Sequence, residues 1–343
     1  LARTFSLPTT ILHGTPQQDP IVGINMTWDG YLALATKRGT VMVVKRDFSE
    51  YHFLQLSSGN SEEISNSIAV DEHGGIYVVS SQAMYRVQWT GTELSTDNAT
   101  GAWRSSYENG ADVQVPGRLG AGSGSTPTLM GVGEQDKFVV ITDGQQVTHL
   151  VLFWRDEIPA DWQPIAPGKD RRIAAEIPVD YGNPAIARSV SEQSVLVSGY
   201  GAVVVNNDYG VTQQSSQPLM ANFLNGLVVL LSNTPRYAPY GVEKFAWNPV
   251  TRKVDVAWVN TSTSCPNGIP TMSTATQMFY CVGQRKGVWN IEGLDWNTGA
   301  SVFYKPLSTL PIHNSFYAST QIGPWGDIWS GTTTGVMQIA PKF

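Results

Sequence analysis

The sequence of 343 residues predicts an all-β protein built from repeated four-stranded units. Residues 269–307 show the unit best, because short runs rich in β-branched and aromatic residues alternate there with turns that contain Gly. Strands this short bury little surface alone, so each unit must stack on copies of itself. With 33 Gly and 20 Pro interrupting the chain, no long amphipathic helix is expected.

Seven similar blade starts occur, in which a residue that is polar in six of them is followed by Pro or Ser and then by small or apolar residues. They lie near residues 19, 66, 126, 183, 217, 269 and 314. Each is followed by two strand-like runs, at 31–36 and 40–45, 76–80 and 84–89, 138–142 and 147–154, 195–198 and 202–206, 227–231 and 241–247, 278–282 and 288–292, and 328–330 and 336–339. Outer strands are predicted at 51–56, 102–107, 172–178, 212–216, 253–259 and 301–304.

The repeats therefore predict seven blades in a single domain of residues 1–343, or six blades if the short fourth unit merges with its neighbour. The seventh unit lacks an outer strand, whereas residues 2–7 are strand-like and have no unit of their own. We expect this N-terminal strand to complete the last blade, which would leave no open sheet edge.

Two turns support a resemblance at the level of the fold. The turns at 294–299, which reads LDWNTG, and at 246–249, which reads AWNP, resemble those of the quinoprotein-like propeller repeat. The overall pattern resembles that of seven-bladed β-propellers. Since propellers of this kind serve as enzymes, assembly factors and scaffolds, the resemblance implies a fold but no site residues.

Charge and cysteine content limit the partners and the compartment. A formal charge of −6 argues against binding to nucleic acid or to acidic membranes, and no apolar run approaches the roughly 18 residues of a membrane span. Cys265 and Cys281 are the only cysteines, and they are either a disulfide bridge or two unrelated thiols. The bridge would favour a secreted or periplasmic protein whose leader precedes Leu1.

In a propeller the blade starts and the turns between second and third strands gather at the mouth of the central channel, the default ligand site. The polar residues Asp19, Asn66, Asn183 and Asn314 would contribute there, unless they only cap turns. Cationic and tyrosine residues expected at the same face are Lys37, Arg38, Arg188, Tyr200, Arg236, Tyr240, Arg285 and Lys286. A cationic mouth would bind an anionic small molecule, glycan or acidic peptide, although such cations can equally serve only to solvate turns.

Candidates for catalysis are few. His313 beside the last blade start is placed for a general base, and one of Tyr200, Tyr237 and Tyr240 could transfer the proton in its place. Glu62 and Glu63, with Asp19, could supply acid/base carboxylates, unless they are only solvated. The alternative to a binding module is therefore an enzyme of the polysaccharide lyase or lactone and ester hydrolase type. The glycine-rich stretch 120–124 precedes a strand rather than a helix, and no zinc or nucleophile motif occurs. We expect no metal and no cofactor, and the sequence does not predict an oligomeric state.

Overall fold

The structure is a computed structural model that describes residues 4–56, 61–110, 115–118, 120–211 and 218–340. The chain forms two compact units. The first comprises residues 1–111, 120–145 and 151–176, and the second comprises residues 112–119, 146–150 and 177–343. The organisation of residues 1–343 as one domain stays a prediction.

The first unit holds three sheets in which strands that follow one another along the chain pair with each other. The first sheet consists of β1 Ile21–Met26, β2 Tyr31–Thr36, β3 Thr40–Lys45 and β4 Tyr51–Gln55. The second sheet consists of β5 Ala69–Val70, β6 Gly75–Val79, β7 Ala83–Trp89, β8 Leu94–Ser95 and β9 Trp103–Ser106. In this sheet β8 and β9 both pair with β7. The third sheet, counted with the unit that holds most of its residues, consists of β10 Thr128–Met130, β11 Phe138–Thr142, β12 His149–Trp154 and β13 Ile173–Pro178.

Apolar clusters join neighbouring sheets of the first unit. Val41 of β3 and Val78 of β6 belong to a cluster between the first and second sheets. Val79 of β6 and Phe153 of β12 belong to a cluster between the second and third. Strand β6 contributes to both because successive side chains of a strand point to opposite faces. This explains why the inner strands are apolar at nearly every position instead of alternating.

The second unit also holds three sheets, and it contains a helix. The first of its sheets consists of β14 Leu196–Ser198, β15 Gly201–Val205, β16 Val242–Asn248 and β17 Lys253–Asn260. The next consists of β18 Thr271–Ser273, β19 Met278–Arg285, β20 Val288–Asp295 and β21 Ser301–Pro306. The last has three described strands, β22 Thr320–Ile322, β23 Ile328–Thr332 and β24 Gly335–Ile339. The helix α1, Pro218–Leu230, lies in the connection between β15 and β16.

The described residues form six sheets, whereas seven blades were predicted. The predicted fourth and fifth units contribute to a single sheet, in which β15 pairs directly with β16. Residues 227–231, predicted as a strand, lie mostly in α1, because a short apolar run does not by itself distinguish a strand from a segment of helix. The predicted outer strand at 212–216 lies outside the described residues. The described sheets therefore match the six-blade alternative.

The predicted N-terminal strand is wrong for the part that the structure describes. Residues 4–7 form no strand, and residues 2 and 3 lie outside the described ranges. The Phe5 ring centroid lies 5.6 Å from that of Phe48 and 5.7 Å from that of Tyr51. The apolar residues that suggested a strand therefore pack on the first sheet of their own unit, where aromatic contacts stabilise them.

The predicted disulfide is confirmed, because Cys265 and Cys281 are bonded and both are buried. Cys281 lies on β19, and both cysteines pack with Val203, Phe279 and Trp296 in the cluster that joins the first two sheets of the second unit. Among the described residues no helix has the length and apolar character required to cross a bilayer.

Candidate functional site

The helix α1 lies in the connection between β15 and β16, two antiparallel neighbours that a tight turn could join. Pro218 occupies the first helical position, where its missing N–H has no consequence. No charged residue occurs between Tyr209 and Arg236. One side of the helix is buried through Val228 and Val229, which pack against Tyr209. The helix is therefore attached to the second unit by an apolar face.

Asparagine side chains fix the C-terminal end of α1. The Asn314 amide donates to the carbonyls of Val229 at 2.8 Å and Leu230 at 3.2 Å, and the Asn267 amide donates to the same Val229 carbonyl at 3.2 Å. Asn267 also donates to the Asn314 side-chain oxygen at 2.7 Å. The last carbonyls of a helix have no intrahelical partner, so these amides supply the missing hydrogen bonds. The helix is thereby held in one position.

The opposite side of α1 is exposed and apolar. Met220, Phe223 and Leu227 are spaced by three and four residues, which places them on one side of the helix. They are 52%, 66% and 40% exposed. The segment 308–317, which Asn314 joins to the helix end, also contains an exposed apolar residue, Leu310. An exposed apolar face on a fixed helix is typical of an interaction surface.

Two exposed cations lie beyond the C-terminal end of α1. Arg236 is exposed in the loop after α1, with its guanidinium carbon 5.5 Å from the Tyr237 ring centroid. Lys286 is exposed in the β19–β20 turn, to which the same loop is joined by the Asn233 amide, 2.7 Å from the Gly287 carbonyl. Neither cation makes an ion pair within the part of the chain that the structure describes. We call Met220, Phe223, Leu227, Arg236 and Lys286 together the α1 surface.

Asp19 and Asn66 of the first unit both make buried hydrogen bonds with backbone groups. The Asp19 carboxylate is fully buried and accepts hydrogen bonds from the backbone N–H of His13 at 2.9 Å and of Arg38 at 2.7 Å. Asn66 is buried, and its amide donates to the Ser123 carbonyl at 2.8 Å. Both side chains are therefore engaged with backbone groups elsewhere in the chain, and ligand binding by either residue stays a prediction.

The other predicted residues of the first unit also have partners. The Glu62 carboxylate accepts a hydrogen bond from the Tyr85 hydroxyl at 2.8 Å. The Lys37 ammonium lies 3.6 Å from the Glu63 carboxylate, and the Arg38 guanidinium donates to a backbone carbonyl at 3.1 Å. A catalytic role for Glu62 stays a prediction, and so does ligand binding by Lys37 and Arg38.

Carboxylates hold two of the predicted cations in the second unit. Arg188 donates two hydrogen bonds to Asp208, at 2.8 and 2.6 Å. Arg285 donates two to Glu292, both at 2.7 Å. Each guanidinium fork is filled by this bidentate geometry, so an anionic ligand would have to displace an internal carboxylate. Of the cations predicted in this unit, Arg236 and Lys286 are the ones that remain open to a ligand.

The asparagines predicted at blade starts of the second unit have structural contacts. Asn314 anchors α1, and its side-chain oxygen also accepts from the Phe316 N–H at 2.8 Å. Asn183 is exposed, and its side-chain oxygen accepts from the Ala185 N–H at 3.2 Å. Both contacts are those of turn caps. A further role in ligand binding stays a prediction.

The remaining predicted residues are His313 and three tyrosines. The His313 Nδ1 atom lies 2.7 Å from the Ser308 hydroxyl. Tyr237 and the exposed Tyr240 lie in the loop after α1, so the structure brings them together with Arg236. Tyr200 is half-buried in the turn between β14 and β15. The gathering of the predicted residues around one channel mouth stays a prediction.

The sequence interpretation missed Met220, Phe223 and Leu227. It assigned residues 227–231 to a strand, so the helical spacing of these three side chains was not recognised. A proline followed by an uncharged run longer than a strand was the signal for a helix. Their exposure could not be inferred, since the same residue types are usually buried.

No family model matches the chain. A protein of Archaeoglobus fulgidus, described as uncharacterized, is 49% identical to it over 323 residues. The match covers 94% of this chain and 61% of the relative, so the chain spans less than two thirds of that protein's length.

Solved structures resemble the chain in fold. A catalytically inactive virginiamycin B lyase from Staphylococcus aureus, crystallised with quinupristin, has a TM-score of 0.50 at 9% identity, over 96% of this chain and 87% of that chain. The Dos1 propeller has a TM-score of 0.54 at 12% identity, over 93% and 67%. The chain thus has a β-propeller fold, which confirms the predicted resemblance. Likeness at these identities shows the fold alone.

Proposed function

We propose that the protein is an interaction propeller that binds an acidic segment of a partner protein at the α1 surface. The observation that supports this proposal most directly is the exposed apolar face of a helix that is inserted into a sheet and capped by buried asparagines. A connection between β15 and β16 needs no such helix. Its exposed side chains therefore serve another purpose than folding.

Apolar contacts would supply much of the affinity. Burying a side chain such as Phe223, which is 66% exposed, stabilises a complex by about 1.5–3 kcal/mol. Met220 and Leu227 would add smaller amounts from the same side of the helix. Because Asn267 and Asn314 already hold α1 in place, binding loses little conformational entropy. The surface is therefore prepared for a rigid docking partner.

Charge indicates an acidic partner. Residues 218–240 and 308–317 contain no Asp or Glu, although the whole chain carries a net charge of −6. Arg236 and Lys286 thus give this region a positive character that would attract acidic side chains and reject basic ones. Among the anionic ligands predicted, a peptide fits best because it alone brings both acidic and apolar groups. No observation favours the lyase or hydrolase alternative.

A peptide selection tests the proposal directly. A random dodecapeptide display library is selected on the purified protein, and affinities of enriched peptides are measured by fluorescence anisotropy. We expect the peptides to combine Asp or Glu with Leu, Phe or Met. Phe223→Ser should weaken their binding about 10-fold or more, as for other aromatic hot spots. Arg236→Glu with Lys286→Glu should weaken it about as much and remove most of its salt dependence.

Matched controls lie on the exposed strand β21. Val302→Ser removes an apolar side chain that is also exposed, and Lys305→Glu reverses an exposed charge, so both should leave binding unchanged. Peptides without acidic residues, or peptides that bind the charge-reversed variant equally well, would refute the proposal. Light scattering that shows a dimer lost in Phe223→Ser would identify a second copy of the chain as the occupant instead.

We also propose that the protein is secreted or periplasmic. The buried Cys265–Cys281 bridge supports this location, because such bridges form and persist in oxidising compartments. The protein is expressed in a bacterial host with and without an export signal, and its thiols are alkylated before lysis. We expect the exported protein to carry no alkyl group on Cys265 and Cys281, because both thiols are in the bridge, and the cytoplasmic protein to be alkylated at both. A cytoplasmic protein that is not alkylated would contradict the argument.

A further inference from the structure

A pocket of about 280 Å³ lies in the first unit, and none of the predicted site residues lines it. Three turns line it: the β1–β2 turn with Trp28 and Asp29, the β5–β6 turn with Glu72 and His73, and the turn after β7 with Thr90. Its volume is close to the lower limit for small-molecule sites, so it would enclose one small ring rather than an extended chain.

Trp28 places an exposed indole in a tight turn. It occupies the second position of a tight turn that the Gly30 N–H closes onto the Thr27 carbonyl at 2.9 Å. Its side chain is 75% exposed. Turns of this kind favour small and polar residues, and a large apolar surface in water is unfavourable. Ligand binding would account for an indole at this position.

Hydrogen bonds within the protein hold two of the turns that line the pocket. The Asp29 carboxylate accepts a hydrogen bond from the Trp89 indole N–H at 2.8 Å. The buried Asp71 carboxylate accepts from the N–H groups of His73 and Gly75, both at 2.8 Å. These contacts fix two of the three turns without a ligand. The pocket is therefore preformed, which lowers the entropic cost of binding.

We propose that this pocket binds a neutral sugar ring, stacked on Trp28 and hydrogen-bonded to Asp29, Glu72 and His73. A pyranose has a face of C–H groups that suits the electron-rich face of an indole. Its hydroxyls donate to carboxylates, which only accept, while an imidazole provides one donor and one acceptor. Such a mixture of one aromatic surface and several polar groups matches the chemistry of a sugar.

Two other ligand classes fit less well. A quaternary ammonium ion needs several aromatic faces, but Trp89 is 3% exposed, with its ring centroid 5.1 Å from that of Tyr31, so it offers no second face. The charge of Glu72 is partly offset by the Arg155 guanidinium, 3.8 Å away. An anion would meet the carboxylates of Asp29 and Glu72 and be repelled.

Titration with simple glycosides tests the site. The probes are the methyl glycosides of glucose, galactose, mannose and N-acetylglucosamine, and the readouts are saturation-transfer NMR and tryptophan fluorescence. We expect at least one probe to bind with a Kd of about 1 mM or below. Trp28→Ala should weaken that binding about 10-fold or more, and Glu72→Gln should weaken it as well. Both side chains are exposed, so these substitutions should leave the fold intact, and thermal denaturation verifies this.

Trp325 provides the matched control, because it is 78% exposed and lies outside the pocket. Trp325→Ala should bind the glycosides as the wild type does. The proposal is overturned if none of the four probes binds at about 50 mM, well above the expected Kd, or if Trp28→Ala binds equally well. It is also overturned if tetramethylammonium binds in place of the glycosides and Trp28→Ala abolishes that binding, which would indicate a cation site.

Discussion

Replacing Glu243 with Gln should stabilise the protein at neutral and alkaline pH but much less in acid. Glu243 lies on β16 and is 1% exposed. Burial raises the pKa of its carboxyl group to about 7, and the charge of the nearby Asp180 adds to this rise. The Tyr181 N–H donates a hydrogen bond to one carboxylate oxygen at 2.8 Å, which lowers the pKa. The other oxygen has no hydrogen-bond partner among the described residues. The ionised form is therefore poorly stabilised in the folded protein.

The magnitude follows from the difference in pKa between the two states. Below the ordinary value of 4.5 the carboxyl is protonated in the folded and the unfolded chain alike. Between 4.5 and about 7 only the unfolded chain loses the proton, so the free energy of unfolding falls by about 1.4 kcal/mol per pH unit. Above that range the full cost is about 3 kcal/mol. Gln keeps an acceptor for the Tyr181 N–H but cannot ionise.

Urea unfolding of the wild type and of Glu243→Gln at pH 5 and pH 8, followed by tryptophan fluorescence, measures this effect. We expect the variant to gain about 2–3 kcal/mol relative to the wild type between the two pH values. Asp255→Asn on the neighbouring strand β17 removes an exposed carboxylate and serves as the control. A difference between wild type and Glu243→Gln that does not change with pH would refute the reasoning.

Three further predictions concern stability. Replacing Cys265 and Cys281 with Ala should lower the free energy of unfolding by about 3 kcal/mol, as for a closed loop of this length, and a wild-type Tm that reductant leaves unchanged would contradict this. Asp71→Ala leaves Arg86 without its buried carboxylate and should cost about 3–5 kcal/mol in chemical denaturation. Burial alone would raise the pKa of Asp71, but its hydrogen bonds and Arg86 hold this pKa below the ordinary value of 3.8. The free-energy cost of Asp71→Ala should therefore diminish as the pH falls below 3.8 and the wild-type carboxylate is protonated. Asn267→Ala should cost about 1–3 kcal/mol and speed hydrogen exchange in α1 more than in β20, whereas equal exchange would argue against the anchor.

The sequence by itself determined many of the inner strands. The predicted runs 31–36, 40–45 and 138–142 coincide with β2, β3 and β11. Strand boundaries are local, because turns with glycine and runs of β-branched residues sit next to each other in the chain. The repetition of such runs was sufficient to predict the propeller fold, whereas the two cysteines allowed either a bridge or two separate thiols until the structure showed the bond.

The tertiary structure decided which apolar runs became core and which became surface. Residues 227–231 look like a strand in isolation, but the amides of Asn267 and Asn314, far away in the sequence, satisfy the end of a helix there. In the same way Asp29 reaches Trp89, 60 residues further along the chain, and builds a wall of the pocket. Contacts between residues so distant in sequence depend on how the strands pack, which a local pattern does not encode. For this reason the fold could be predicted from the sequence, whereas the α1 surface and the exposed Trp28 could be recognised only in three dimensions.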